Sequence, residues 1–140
     1  MINGETVDEK PAFKRLLKRR RCLIVADGFY EWKRTEENKK SYRITVNEGI
    51  FTFAGLWDRW KSNEEEIISF TILTTEPNEF MKGIHDRMPV ILGEEDRNIW
   101  LNPGVEDKQI LGMVLVITLW HPLTCQLQGK LSKPQLTLLI

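Results

Sequence analysis

The stretch Arg21–Lys33, RCLIVADGFYEWK, sets the reading of the whole chain. Its first part, Cys22–Ala26, is a short unbroken apolar run of the kind that forms a buried strand. Asp27-Gly28 follows as a turn signal, and Phe29-Tyr30-Glu31-Trp32 resumes an extended, aromatic-rich segment. Upstream, residues 10–21 predict a helix: Pro11 suits a first-turn position, and Phe13, Leu16 and Leu17 share one face with cations around them. Downstream, the polar Thr35–Lys40 predicts an exposed hairpin loop, and Tyr42–Val46 alternates as a strand does. Glu48-Gly49 turns the chain into a strand over Ile50–Trp57, and Asn63–Glu66 is a second exposed turn. The β-branched run Ile67–Thr75 predicts another strand. Pro77–Lys82 suits one helical turn, Gly83–Arg87 a loop ahead of Met88–Leu92, and Glu94–Leu101 a short helix. Repeated short strands with few helices, and neither βαβ alternation nor a repeat period, predict an α+β domain that is mostly antiparallel β.

A length of 140 residues leaves room for one domain. An apolar share of 41% and a balance of 20 basic against 20 acidic residues argue against intrinsic disorder and give no global attraction to a polyanion. The distribution says more than the sum. Lys14–Arg21, KRLLKRRR, holds six cations in eight residues. Such a block is either a solvated helix face or a patch that neutralises phosphates. The longest apolar stretch, Leu111–Trp120, has ten residues, about half of the roughly 20 needed to span a bilayer. Met1–Lys10 is polar, carries three acids and does not resemble a signal peptide. Cys22 and Cys125 cannot build a disulfide framework and have no CxxC or His-rich neighbours, so neither a metal nor a cofactor is expected. The expectation is a soluble, cytoplasmic, monomeric domain without membrane contact.

Three segments hold the candidate chemistry: RCLIVADGFYEWK, Phe53–Trp57 (FAGLW) and Thr74–Leu92 (TTEPNEFMKGIHDRMPVIL). Glu31 stands among Phe29, Tyr30 and Trp32, where desolvation would raise its pKa; it could equally be an exposed strand carboxylate between inward aromatics. His85, in a turn beside Asp86 and Arg87, can donate or accept protons near neutral pH, or be a plain surface-loop histidine. Arg87 offers a planar donor fork for a phosphate, or a salt bridge to an acid. Thr74 and Thr75 present hydroxyls that suit a backbone phosphate or a structural strand end.

These motifs, in this order and spacing, closely resemble the SOS response-associated peptidase family, the SRAP domain of abasic-site processing proteins. The resemblance runs from about Glu5 to Leu101. It implies a compact, mostly β domain with a positively charged groove for single-stranded DNA containing abasic sites. It also implies a self-modifying reaction, in which an amino-terminal cysteine condenses with the ring-opened sugar aldehyde to a thiazolidine crosslink, and a peptidase activity that exposes that cysteine. By position, the family's catalytic glutamate and histidine fall on Glu31 and His85, and its asparagine on Asn3. Arg87, Thr74 and Arg21 are the residues assigned to DNA contact.

Two departures qualify the resemblance. The chain opens Met1-Ile2-Asn3 rather than Met-Cys-Gly, so the expectation is an SRAP protein lacking the family's opening portion, its nucleophile and one DNA-contacting arginine, and inactive by itself. A non-catalytic single-strand-binding module is the competing reading. Leu111–Ile140 carries only two formal charges, Lys130 and Lys133. Residues 1–110 are therefore read as a partial SRAP domain, and 111–140 as an atypical segment, either a terminal strand pair or, the favoured reading, a shifted frame.

Overall fold

The computed structural model describes residues 1–34, 39–46, 49–106, 109–110, 112, 123–127 and 136–139, the last two stretches by their backbone. Ten strands and three α-helices are described: β1 (Ile2–Asn3), α1 (Pro11–Arg19), β2 (Arg21–Ala26), β3 (Phe29–Arg34), β4 (Lys39–Val46), β5 (Phe51–Lys61), β6 (Glu66–Thr75), α2 (Glu79–Lys82), β7 (Met88–Pro89), β8 (Ile91–Leu92), α3 (Glu94–Leu101), β9 (Leu123–Leu127) and β10 (Leu136–Leu139). A 3₁₀ turn, Gly4–Thr6, follows β1. The larger sheet runs β1-β6-β5-β2-β10, with β7 on β6 and β8 on β5; the smaller runs β3-β4-β9. Among the described residues only β1 and β6 pair in parallel, so the mostly antiparallel α+β expectation holds.

The apolar run Cys22–Ala26 is explained by a sheet covered on both faces. Successive residues of β2 point to opposite sides: Leu23 joins one core with Leu16, Leu17, Leu56 and Trp100, while Ile24 joins a second with Phe29, Ile44, Phe53, Met81 and Met88. Helices α1 and α3 therefore cover one face, and the β3–β4 hairpin with the Met81–Met88 segment covers the other. Trp100 pins α3 to the sheet, its indole N–H donating to the Cys22 carbonyl at 2.9 Å. The Asp96 carboxylate caps the start of α3 by accepting the Gly93 N–H at 3.3 Å.

Gly55, the centre of FAGLW, sits on β5 directly opposite Cys22. A Cβ there would lie 2.4 Å from Ile24 Cδ1 and 3.0 Å from Cys22 Sγ, so the second core leaves no space for a side chain.

Two segments differ from expectation. β5 continues to Lys61 rather than stopping near Trp57, because Asp58, Arg59, Trp60 and Lys61 pair with Ser69, Ile68, Ile67 and Glu66 in a two-stranded ribbon. Charged residues at a ribbon tip are solvated, so the strand runs on past the apolar stretch that marks it in the sequence. Met88–Leu92 is divided between two partners, Met88–Pro89 on β6 and Ile91–Leu92 on β5, with the Val90 N–H donating to Leu73 O between them. Segment 111–140 contributes β9 to β4 and β10 to β2; apart from Gly112 the rest of it lies outside the described residues, as do residues 35–38 and 47–48 in the loops expected around Thr35–Lys40 and Glu48-Gly49.

Candidate functional site

Glu31 lies on the inward face of β3. Strand alternation places Phe29 and Glu31 on one side and Tyr30 and Trp32 on the other. Phe29 is part of the second core, so Glu31 follows it inward and is only 8% exposed, whereas Trp32 is 42% exposed. The strand carboxylate is thus inside and the neighbouring tryptophan outside. Tyr42 stands directly opposite Glu31 in the β3–β4 ladder and shares its face.

The loop after α2 brings His85 to the same place. Asn78 caps α2, its side-chain oxygen accepting the Met81 N–H at 3.0 Å. Met81 and Met88 are both buried in the second core and fix the two ends of the loop. The His85 N–H then donates to the Met81 carbonyl at 2.9 Å. These anchors leave the imidazole 40% exposed, with Nε2 3.9 Å from Glu31 Oε2. That separation is too long for a direct hydrogen bond, but a substrate oxygen about 2.8 Å from each group fits between them off the line of centres. Nδ1 faces Arg87: it lies 3.1 Å from the Arg87 N–H, 3.2 Å from the Arg87 carbonyl and 3.0 Å from Asp86 Oδ1.

Burial pushes the Glu31 carboxyl above its ordinary value; the charge of His85 and the Trp32 N–H oppose this, and the charge of Asp86 adds to it. A carboxyl held toward its neutral form beside an imidazole can give a proton as well as take one.

Asn3, Thr74 and Arg87 converge on the adjoining edge. Asn3 pairs with Thr74 in the β1–β6 register, and its side-chain oxygen accepts the Glu5 N–H at 2.9 Å, capping the 3₁₀ turn. The Thr74 hydroxyl donates to Ile2 O at 3.2 Å. Arg87 donates to Thr74 O at 2.7 Å and forks onto Glu5, Nη1 to Oε1 at 3.2 Å and Nη2 to Oε2 at 2.6 Å. Glu5 also accepts the Thr75 hydroxyl and the Glu76 N–H, at 3.0 and 3.1 Å. Burial alone would raise the Glu5 carboxyl, but the hydrogen bonds from Arg87, its own N–H and Thr75, with the Arg87 charge, hold it below its ordinary value.

Arg21 stands at the start of β2. Its guanidinium donates to Trp100 O, Leu17 O and Asn102 O at 2.5, 2.7 and 2.6 Å, clamping α1 to the end of α3. Cys22 is fully buried, and desolvation pushes its thiol up to about 12. Glu5 escapes a linear reading altogether, because 82 positions separate it from Arg87.

Fold and site together define a class: a β-rich domain whose doubly covered sheet ends in a rim carrying a buried carboxylate, an imidazole and a clamped arginine. The model of the family described as SOS response associated peptidase (SRAP) matches residues 1–124, and the chain belongs to that family. It is 52% identical over 108 residues to the abasic site processing protein YoaM of Bacillus subtilis, covering 74% of this chain and 48% of that protein. Identity to the abasic site processing protein HMCES of Xenopus tropicalis is 34% over 146 residues, covering 86% of this chain and 44% of that protein. A crystal structure of a Bacteroides thetaiotaomicron protein superposes with a TM-score of 0.79 at 32% identity, covering 89% of this chain and 56% of that one. The chain thus spans about half the length of the curated relatives it matches. Among the described residues, no helix is long and apolar enough to cross a membrane.

Proposed function

We propose that this domain recognises abasic sites in single-stranded DNA and handles the ring-opened sugar aldehyde through Glu31 and His85. The observation that carries this reading is the buried Glu31 carboxylate 3.9 Å from a half-exposed His85 Nε2, in a chain whose relatives are abasic site processing proteins.

The chemistry requires such a pair. An amine adds to the aldehyde carbon to give a carbinolamine, water leaves to give an imine, and a thiol on the same residue adds across the C=N bond to close a thiazolidine. One water is released and nothing is oxidised. Departure of water needs a proton donor, and deprotonation of the attacking amine needs an acceptor. The buried Glu31 carboxyl and the solvent-facing His85 imidazole divide these two transfers between them. Asn3, Thr74 and Arg87 build the adjoining edge, with the Thr74 hydroxyl held on Ile2 O and the Arg87 guanidinium on Glu5 and Thr74 O, so contact of Arg87 with a flanking phosphate would have to compete with Glu5.

Ring closure requires a 1,2-aminothiol, which only a chain-terminal cysteine supplies. Cys22 is excluded as that group: its nitrogen lies in a peptide bond, and its buried thiol is held protonated. The same acid–base pair would serve a peptide cleavage, the activity that the family's description names, and such a cleavage could free a terminal cysteine.

The test compares this chain with a version opened by a Cys-initiated segment. Both are mixed with single-stranded DNA carrying one abasic site, followed by anisotropy and denaturing gels. Preferential binding by both, and a heat-stable crosslink only in the second, is the expected result. Absence of any preference for abasic over intact DNA in the Cys-initiated protein would remove the reading.

A second reading has its own observation. Lys14, Arg15, Lys18 and Arg19 line, with Pro11, an open groove of about 480 Å³ on α1. Arg20 and Arg21 belong to the fold instead, Arg20 pairing with Asp58 at 2.5 Å. The four groove cations suit a sequence-independent phosphate contact.

A further inference from the structure

The His85 ring is surrounded by groups that pull its proton in opposite directions. The Arg87 N–H, 3.1 Å from Nδ1, requires a lone pair there and so places the proton on Nε2, facing Glu31. Asp86 Oδ1 at 3.0 Å and the Arg87 carbonyl at 3.2 Å favour the opposite tautomer, with the proton on Nδ1. The Asp86 side chain is 89% exposed, so water competes with its pull. Selection of the Nε2–H form thus depends on how firmly the Arg87 backbone is held. Its guanidinium is tied at both ends of the fork to Glu5, and Glu5 is in turn tied to Thr75 and Glu76 at the end of β6. Both side chains of the fork are about a quarter exposed, sheltered enough for it to persist.

We propose that Glu5 is a positioning residue for His85: by clamping Arg87 it holds the Arg87 N–H on Nδ1 and presents Nε2–H to Glu31. It touches no reacting atom and acts through the loop. The proposal refines the acid–base pair of the preceding subsection and rests on that reading for its catalytic meaning.

The experiment is ¹⁵N NMR of histidine-labelled protein at about pH 8, where an ordinary imidazole is neutral, with His121 assigned by its His121→Gln variant. In the unmodified chain the two ring nitrogens of His85 should show one dominant tautomer, protonated at Nε2. Glu5→Gln should shift the signals toward a mixture of both tautomers, and Glu5→Asp should restore part of the preference. Arg87→Lys, which keeps the charge but loses the fork, should act as Glu5→Gln does and decides the matter if that variant fails to fold. Near-ultraviolet tryptophan signal reports folding. An Nδ1–H tautomer in the unmodified chain, or an unchanged Nε2–H tautomer in a folded Glu5→Gln or Arg87→Lys protein, would overturn the proposal. If the tautomer shifts as expected while the Cys-initiated protein shows no preference for abasic DNA, the functional reading fails and the positioning stands.

Discussion

Glu31 and His85, 54 positions apart in sequence, meet at 3.9 Å on the rim of the second core, the acid almost fully buried and the imidazole open to solvent. The asymmetry follows from the elements that carry them. A strand alternation turns Glu31 inward, while a loop pinned at Met81 and Met88 lets the histidine reach it from outside.

Glu31→Gln should stabilise the fold at neutral pH and remove the chemistry. The amide keeps the shape and discards a charge that burial disfavours. The melting temperature, followed by tryptophan near-ultraviolet signal, should rise. The crosslinking rate of the Cys-initiated protein should fall by about 10²-fold or more, the usual range for a group in general acid–base catalysis. A variant that melts lower and crosslinks normally would contradict both the burial and the role.

Glu5 and Glu31 should give stability opposite dependences on pH. The Glu5 carboxyl is held below its ordinary 4.5, so its contribution is present above that value and is lost as pH falls through the lowered pKa. The Glu31 carboxyl is held above 4.5, so its contribution is present below that value and is lost as pH rises through the raised pKa. Urea midpoints measured from about pH 3 to about pH 8 should show Glu5→Gln flattening the acid limb and Glu31→Gln flattening the limb above it. Loss of the Glu5 fork should also lower stability by about 2 kcal/mol at neutral pH. The same limb flattened by both variants would refute the assignment.

Gly55→Ala should destabilise by about 1–3 kcal/mol, because the new Cβ meets Ile24 Cδ1 at 2.4 Å in a filled core. Ile24→Val deletes the clashing atom. Alone it should cost about 0.5–1.5 kcal/mol, yet the double variant should be more stable than the sum of the two losses. Strict additivity would show that the clash is relieved elsewhere.

Neutralising Lys14 and Arg15 to Gln should leave melting unchanged and reduce the salt slope of single-strand binding by about one per cation that contacts a phosphate. Arg21→Gln should behave differently. It removes three donors to carbonyls of α1, α3 and the residue after α3, and should lower stability by about 2 kcal/mol or more. An unchanged melting temperature for Arg21→Gln would separate that side chain from the fold.

Much of the fold was legible because local pattern and burial agree. Glu94–Leu101 is the helix its sequence predicts, and Ile67–Thr75 gains only Glu66. The apolar run after Arg21 is a buried strand because both its faces are covered. Legibility failed where pairing overrides polarity, as in Asp58–Lys61, and where one short stretch serves two partners, as in Met88–Leu92. At the site, residue chemistry and family resemblance singled out Glu31 and His85, and the structure brings them together. Which way Glu31 faced was undecidable from FYEW alone, because alternation gives the period and not the side. The Glu5–Arg87 fork was invisible for a simpler reason: no linear pattern links a turn at the beginning of the chain to a loop after β6.

The doubly covered sheet has a consequence for motion. Amides of β2 and of Phe51–Leu56 on β5 are bonded within a layer that has a core on each face, so they should open to hydrogen exchange only when the whole domain unfolds. The Gly83–Arg87 loop hangs from this spine by a few anchors at its ends. It can open on a far lower free-energy scale, so the rim that carries His85 can breathe while the spine stays closed.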